Sequence, residues 1–207
     1  NTVLDLNGFN ETINGLANNG TTFVDNTAPD TTSTLTFGDN NFSGWYSGKF
    51  RDTGSGATLN LVKTGSGIMI LSGVNEHSGT TTINEGTLRL GGATALGTVD
   101  GGTIVNAGGA LDLNDFALTL QEPLLLNGGV LTNRAGSATW AGPVTISGSG
   151  NVIDVGLTDI ILSGTLSGSG SVVKQAYGAL YLNGDDSAFT GALDIQGGWV
   201  RLNATGL

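Results

Sequence analysis

The 207-residue sequence has no cysteine, which excludes disulfides and thiolate metal sites. It has one histidine, His77, so a catalytic triad or a zinc site would lack the companions that either needs. Lys and Arg number 7 against 17 Asp and Glu. The resulting net charge of −10 repels phosphate backbones and anionic membrane surfaces, so nucleic acid is not an expected partner. Charged residues make up only 12%, and the polar surface must therefore come from Thr, Ser, Asn and Gly. No apolar run approaches bilayer-spanning length. No basic-then-apolar leader opens the sequence. No window sustains apolar residues three and four apart, so almost no α-helix is expected. A P-loop, a dinucleotide fingerprint and a nucleophile elbow are all missing.

What is abundant is glycine, 36 residues against 3 prolines, which fits many tight turns between short strands. Gly-Gly pairs at 91–92, 101–102, 108–109 and 128–129 punctuate apolar runs such as Thr103-Ile104-Val105 and Leu124-Leu125-Leu126. Two stretches organise the rest. Val62 to Leu90 and Val173 to Leu202 are copies of one unit. Lys63, Gly67, Leu71 and Gly73 fall on Lys174, Gly178, Leu182 and Gly184. After one inserted residue, Gly79, Ile83, Gly86, Arg89 and Leu90 fall on Gly191, Ile195, Gly198, Arg201 and Leu202. Phe42-Ser43-Gly44 is a third copy of the turn at His77-Ser78-Gly79 and Phe189-Thr190-Gly191. Internal repetition of this kind is the mark of a solenoid.

The apolar residues of these units recur at period two. Leu59, Leu61, Met69, Leu71, Ile83, Leu88 and Leu90 form an inward series, with Ile68 and Ile70 outward and Tyr181 in the place of Ile70. Strands of three to five residues are not stable alone, and coiling the chain stacks them in parallel about 4.8 Å apart. The expected fold is all-β, a right-handed parallel β-helix with almost no α-helix. At roughly twenty to twenty-five residues per coil, about nine coils would rise about 45 Å. A two-sheet sandwich is the alternative, but it asks for longer strands and two-residue hairpin turns. The whole of 1–207 reads as one β-helical segment of a longer or polymeric protein, with repeat units near 34–58, 59–97 and 170–207. A stacked coil exposes open hydrogen-bonding edges at top and bottom, and no capping helix is evident. End-to-end contact with tandem repeats or further copies is therefore expected.

Val62 to Leu90 closely resembles the autotransporter-associated β-strand repeat. The residues that carry the resemblance are Lys63-Thr64-Gly65, Gly67, Met69, Leu71-Ser72-Gly73, Asn75, Ser78-Gly79, Thr81, Ile83-Asn84 and Gly86-Thr87-Leu88. His77 stands where that family has an aromatic. The second copy is looser, with Gln175-Ala176 for Thr-Gly and Trp199 for Thr. The resemblance implies a secreted or surface-exposed β-helix of a diderm bacterium, within a stalk, adhesin or matrix fibre. It implies no common enzymatic activity and no cofactor.

For chemistry the sequence offers little. His77 aligns with Phe42 and Phe189, which favours a packing role. Asp185-Asp186 is the only acidic doublet and the calcium candidate, but calcium needs six or more oxygens and a solvated turn is the simpler reading. Asp112, Asp115, Asp154, Asp159 and Asp194 are scattered singly, which suits solubility as well as a polysaccharide lyase or hydrolase. Lys63 with Lys174, and Arg89 with Arg201, repeat with the fold and read as structural. The candidate interaction surface is Trp45, Tyr46 and Phe50 together with Ile70 and Tyr181, taken as one lateral side that contacts further copies or surface glycans. The expected function is a structural segment of a bacterial fibre or passenger with an adhesion or matrix role. A glycan-binding adhesin module is the alternative, and a polysaccharide-degrading enzyme a more distant one.

Overall fold

The computed structural model describes residues 2–17, 21–118 and 121–203; residues 204–207 of the expected last repeat unit lie outside them. The described strands coil into a parallel β-solenoid with three sides. The second side is a nine-stranded parallel sheet running from Glu11–Ile13 to Ala188–Phe189, one strand per coil, in line with the expected count. The third side has eight strands, from Gly44–Tyr46 to Leu193–Ile195. The first side is split. Thr2–Asp5, Thr22–Asp25 and Lys49–Arg51 form a three-stranded sheet, and five strands from Ala117–Leu118 to Trp199–Leu202 form another. Between them, residues 75–77 and 94–98 cross the same side without strand pairing. The helical content among the described residues is one 3-10 turn, Asp39–Asn41.

Period-two alternation decides what is inside. Leu59, Leu61, Met69, Leu71, Ile83, Leu88 and Leu90 are all fully buried. Parallel register stacks like on like: Ile83, Val105, Leu126 and Ile146 are one position in four successive coils. On the third side Met69, Leu88, Leu111, Leu131 and Ile153 do the same. Each such side chain contributes roughly 1.5–3 kcal/mol by leaving water. The stacking lets strands of three or four residues persist where an isolated hairpin would not.

The two repeat copies do not occupy the same sides. In the first, Thr58–Lys63 lies on the second side and Ile68–Leu71 on the third. In the second, Val172–Gln175 lies on the third side and Ala179–Leu182 on the first. The later strands shift likewise: Gly86–Leu90 is on the third side, whereas its counterpart Trp199–Leu202 is on the first. A unit is therefore a corner with its flanking strands, and two of the three corners hold one: that from the second side to the third and that from the third side to the first.

The shared lysine shows what the unit needs. Lys63 sits at an inward position, in register with Phe37 and Ile83, and is fully buried. Its Nζ donates to the carbonyls of Thr64 and Gly65, both at 2.7 Å, and of Glu85 at 3.1 Å. Lys174 repeats this with Gln175 and Ala176, each at 3.1 Å, and Gly197 at 2.8 Å. The ammonium collects the carbonyls that the turn cannot pair and reaches one coil further to do so. Burial pushes the Lys63 pKa down, against the pull of Glu85. Gly65, at φ 66°, holds the left-handed turn position beneath that ammonium, and Ala176 holds it at φ 64° in the second copy. Lys63→Met keeps the stem but orphans three carbonyls, and is expected to cost about 2 kcal/mol in urea unfolding. An unchanged midpoint would show the carbonyls find other partners.

Asparagine plays a second interior role, which the sequence analysis missed by assigning it to the polar surface. Asn26, Asn75, Asn133 and Asn151 are all buried. Each accepts a backbone N–H from the coil before: Gly8, Phe50, Asp115 and Gly128 respectively. Each donates from Nδ2 to a carbonyl of the coil after: Thr58, Ala95, Asp159 and Ser171 respectively. The side-chain amide thus acts as an extra peptide group, continuing the ladder where the backbone turns away. Asn75 does this where the first side has no strand.

Candidate interaction surface

The outward side chains of the third side form a file in register. Trp45 pairs with Ile70, Ile70 with Arg89, Arg89 with Asp112, Asp112 with Thr132, Thr132 with Asp154, and Asp154 with Gln175. Beside it runs a more apolar file of Ile68, Thr87, Ala110, Val130, Val152 and Val173. The middle of the two files, from Ile68 to Val130 on the apolar wall and from Arg89 to Gln175 on the polar one, lines a trough of about 490 Å³ together with Arg134. Arg89 Nε donates to Asp112 Oδ2 at 2.8 Å, and Arg134 to Asp154 Oδ2 at 3.1 Å. Thr132 is buried between these pairs, and its hydroxyl has no hydrogen-bond partner among the described residues. At the corner leading to the first side, Leu157 and Tyr177 stand 85% and 79% exposed beside the same Arg134–Asp154 pair. Trp45, 55% exposed, heads the file at the other end, with its indole N–H donating to Ser72 Oγ.

This corrects the expected surface. Tyr46 and Phe50 belong to the core, not to a patch with Trp45: they are 3% and 0% exposed. Residues adjacent in an extended strand face opposite ways, so Trp45 points out and Tyr46 in. Phe50 packs with Tyr46 at 5.0 Å, with His77 at 6.0 Å and with Phe37 at 6.3 Å. Ile70 and Tyr181 hold the same repeat position yet lie on different sides, the third and the first, because the copies are rotated. Both are half-buried. They form no common face, and only Ile70 shares the side of Trp45. The residues that sequence reasoning passed over were Leu157 and Tyr177, whose one available signal is apolar character in a Gly-bounded turn.

His77 is fully buried against Phe50, with Nε2 3.1 Å from Thr81 Oγ1 and Nδ1 unpartnered among the described residues. Burial drives its pKa down to about 4, against the nearby Asp52. The Asp185-Asp186 doublet splits. Asp185 is exposed and accepts the Ser187 N–H at 3.0 Å, while Asp186 is buried, which raises its pKa. Among the described residues no three His, Asp or Glu side chains gather in a way that could hold a metal ion. Asp112 and Asp154 share the trough but each is committed to an arginine.

The passenger-associated-transport-repeat family matches residues 61–90 and 172–202, the two copies whose lysines and corners are described above. The chain carries autotransporter passenger repeats. Over 201 residues, 96% of its length, it is 38% identical to the adhesin BmaC autotransporter of Brucella suis biovar 1. It spans about 5% of that relative's length. No solved structure matches it. The passenger repeat explains why the two matched stretches share turn residues but not a side of the solenoid: what recurs is the lysine-filled corner. No described helix is long and apolar enough to cross a membrane.

Proposed function

We propose that this passenger-repeat solenoid is a structural stretch of an adhesin displayed at the surface of a diderm bacterium, non-catalytic, and continued end to end by neighbouring repeats. The observation that carries the reading is the rotated pair of copies within a parallel stack. A unit that fits more than one corner adds coils without a fixed phase, so a long passenger grows by repetition with no need for new architecture. Its similarity to an adhesin many times its length supports the same reading.

The absence of cysteine supplies a test. Val74 is 61% exposed at the edge of the unpaired part of the first side. Val74→Cys in the full-length protein, expressed in its own host, is expected to react with a membrane-impermeant maleimide on intact cells. The chain without the substitution serves as the control. Labelling of this position only after lysis would overturn surface display.

A further inference from the structure

We propose that the trough on the third side is a docking groove for a neutral, extended polysaccharide, gripped by Trp45 at one end and by Tyr177 at the other. This rests on the surface-display reading for its setting and names the partner. A sugar chain has apolar C–H faces and hydroxyl edges. The trough offers an apolar wall from Ile68 to Val130, continued along the same side by Val152 and Val173, beside a polar one from Arg89 to Gln175. Exposed aromatic rings supply flat apolar platforms with little rotamer entropy to lose. By strand spacing the file from Trp45 to Gln175 is roughly 29 Å long, which suits several sugars in a row.

Charge selects a neutral chain. Arg89 and Arg134 are each neutralised by an aspartate at 2.8 and 3.1 Å, so the trough presents no unbalanced cation to a sulfate or carboxylate. The chain's net charge of −10 opposes an anionic polymer further. Paired guanidinium and carboxylate groups still offer donors and acceptors to neighbouring hydroxyls. Thr132 lies in the floor of the trough, between Asp112 and Asp154, with its hydroxyl buried beneath the surface that a sugar would touch.

The test uses the purified chain in affinity electrophoresis and calorimetry with soluble mannan, galactomannan and mixed-linkage β-glucan, against heparin and chondroitin sulfate. At least one neutral polymer is expected to bind, with Trp45→Ala and Tyr177→Ala each weakening it about tenfold. Trp199→Ala removes another exposed tryptophan, 68% exposed but on the first side, and should change nothing. Binding to none of the neutral polymers, preference for the anionic ones, or equal losses from Trp199→Ala and Trp45→Ala would each overturn the proposal. None of these results bears on surface labelling at position 74, so the two readings fail separately.

Discussion

Asn133→Asp is expected to destabilise the solenoid by about 4 kcal/mol at pH 7, more than Asn133→Ala, although it is the smaller change in shape. Asn133 is fully buried. Its Oδ1 accepts the Asp115 N–H at 3.0 Å, and its Nδ2 faces Gly136 O at 2.8 Å, Thr158 Oγ1 at 3.0 Å and Asp159 O at 3.0 Å. Truncation to alanine orphans one N–H and two carbonyls, and each buried orphan costs about 1–3 kcal/mol, less what water entering the gap recovers. That puts Asn133→Ala near 3 kcal/mol. Aspartate keeps the acceptor but replaces the donor with a charged oxygen that faces two carbonyls out of water, with the Thr158 hydroxyl as its one donor. Acid should relieve the aspartate variant, because a protonated carboxyl regains one donor, and should leave the alanine variant's deficit in place. Urea unfolding followed by tryptophan fluorescence at pH 7 and pH 5 gives all four comparisons. An aspartate variant no worse than alanine at pH 7 would mean that Asn133 is not the donor bridging the turns at Gly136 and Asp159.

The interior asparagines also mark the limit of sequence reading. The parallel coil, the inward files and the structural lysines were legible because each rests on a period or a repeat: two along a strand, one unit between copies. Asn133 carries no such signature. An asparagine that caps a turn outward and one that clamps three turns from inside look alike in sequence, since both favour positions where the strand ends. The misplaced surface has a different cause. Trp45, Tyr46 and Phe50 are close in sequence, but alternation sends Trp45 out and Tyr46 in, and the next corner carries Phe50 to another side. The period-two rule that placed Met69 and Leu71 inside would have separated Trp45 from Tyr46 as well. The separation of Ile70 from Tyr181 was not available at all. It depends on the phase of each repeat copy against the coil, and that phase is set by the lengths of all the turns between them.

His77→Phe is expected to remove a destabilisation by acid that offsets Glu122 and, by doing so, to expose the opposite sensitivity that Glu122 carries. Burial lowers the His77 pKa from 6.5 to about 4, so the folded chain holds a neutral ring where the unfolded chain takes up a proton. Its contribution is complete above pH 6.5 and is lost as pH falls toward 4, by about 3 kcal/mol at 1.36 kcal/mol per unit. Glu122 is buried, with Oε1 accepting from Thr103 Oγ1 at 3.0 Å. Burial is the main cause that lifts its pKa from 4.5 to about 7; the Thr103 bond opposes this and Asp100 adds to it. Its contribution is complete below pH 4.5 and is lost as pH rises through 7, by a similar amount. Between pH 4.5 and 6.5 the two slopes oppose, and the unsubstituted chain should show a nearly flat stability profile. Phenylalanine, which the second repeat copy has at the equivalent Phe189, fits an aromatic cage built on Phe50 and carries no proton. With His77→Phe the profile should fall steadily from pH 4.5 to 7. With Glu122→Gln, which can still accept from Thr103, it should instead rise across that range and end about 2–3 kcal/mol higher at pH 8, again at 1.36 kcal/mol per unit. Urea midpoints at half-unit pH steps for the three chains decide it. A His77→Phe profile as flat as the parent's would show that these two buried groups do not set the pH response.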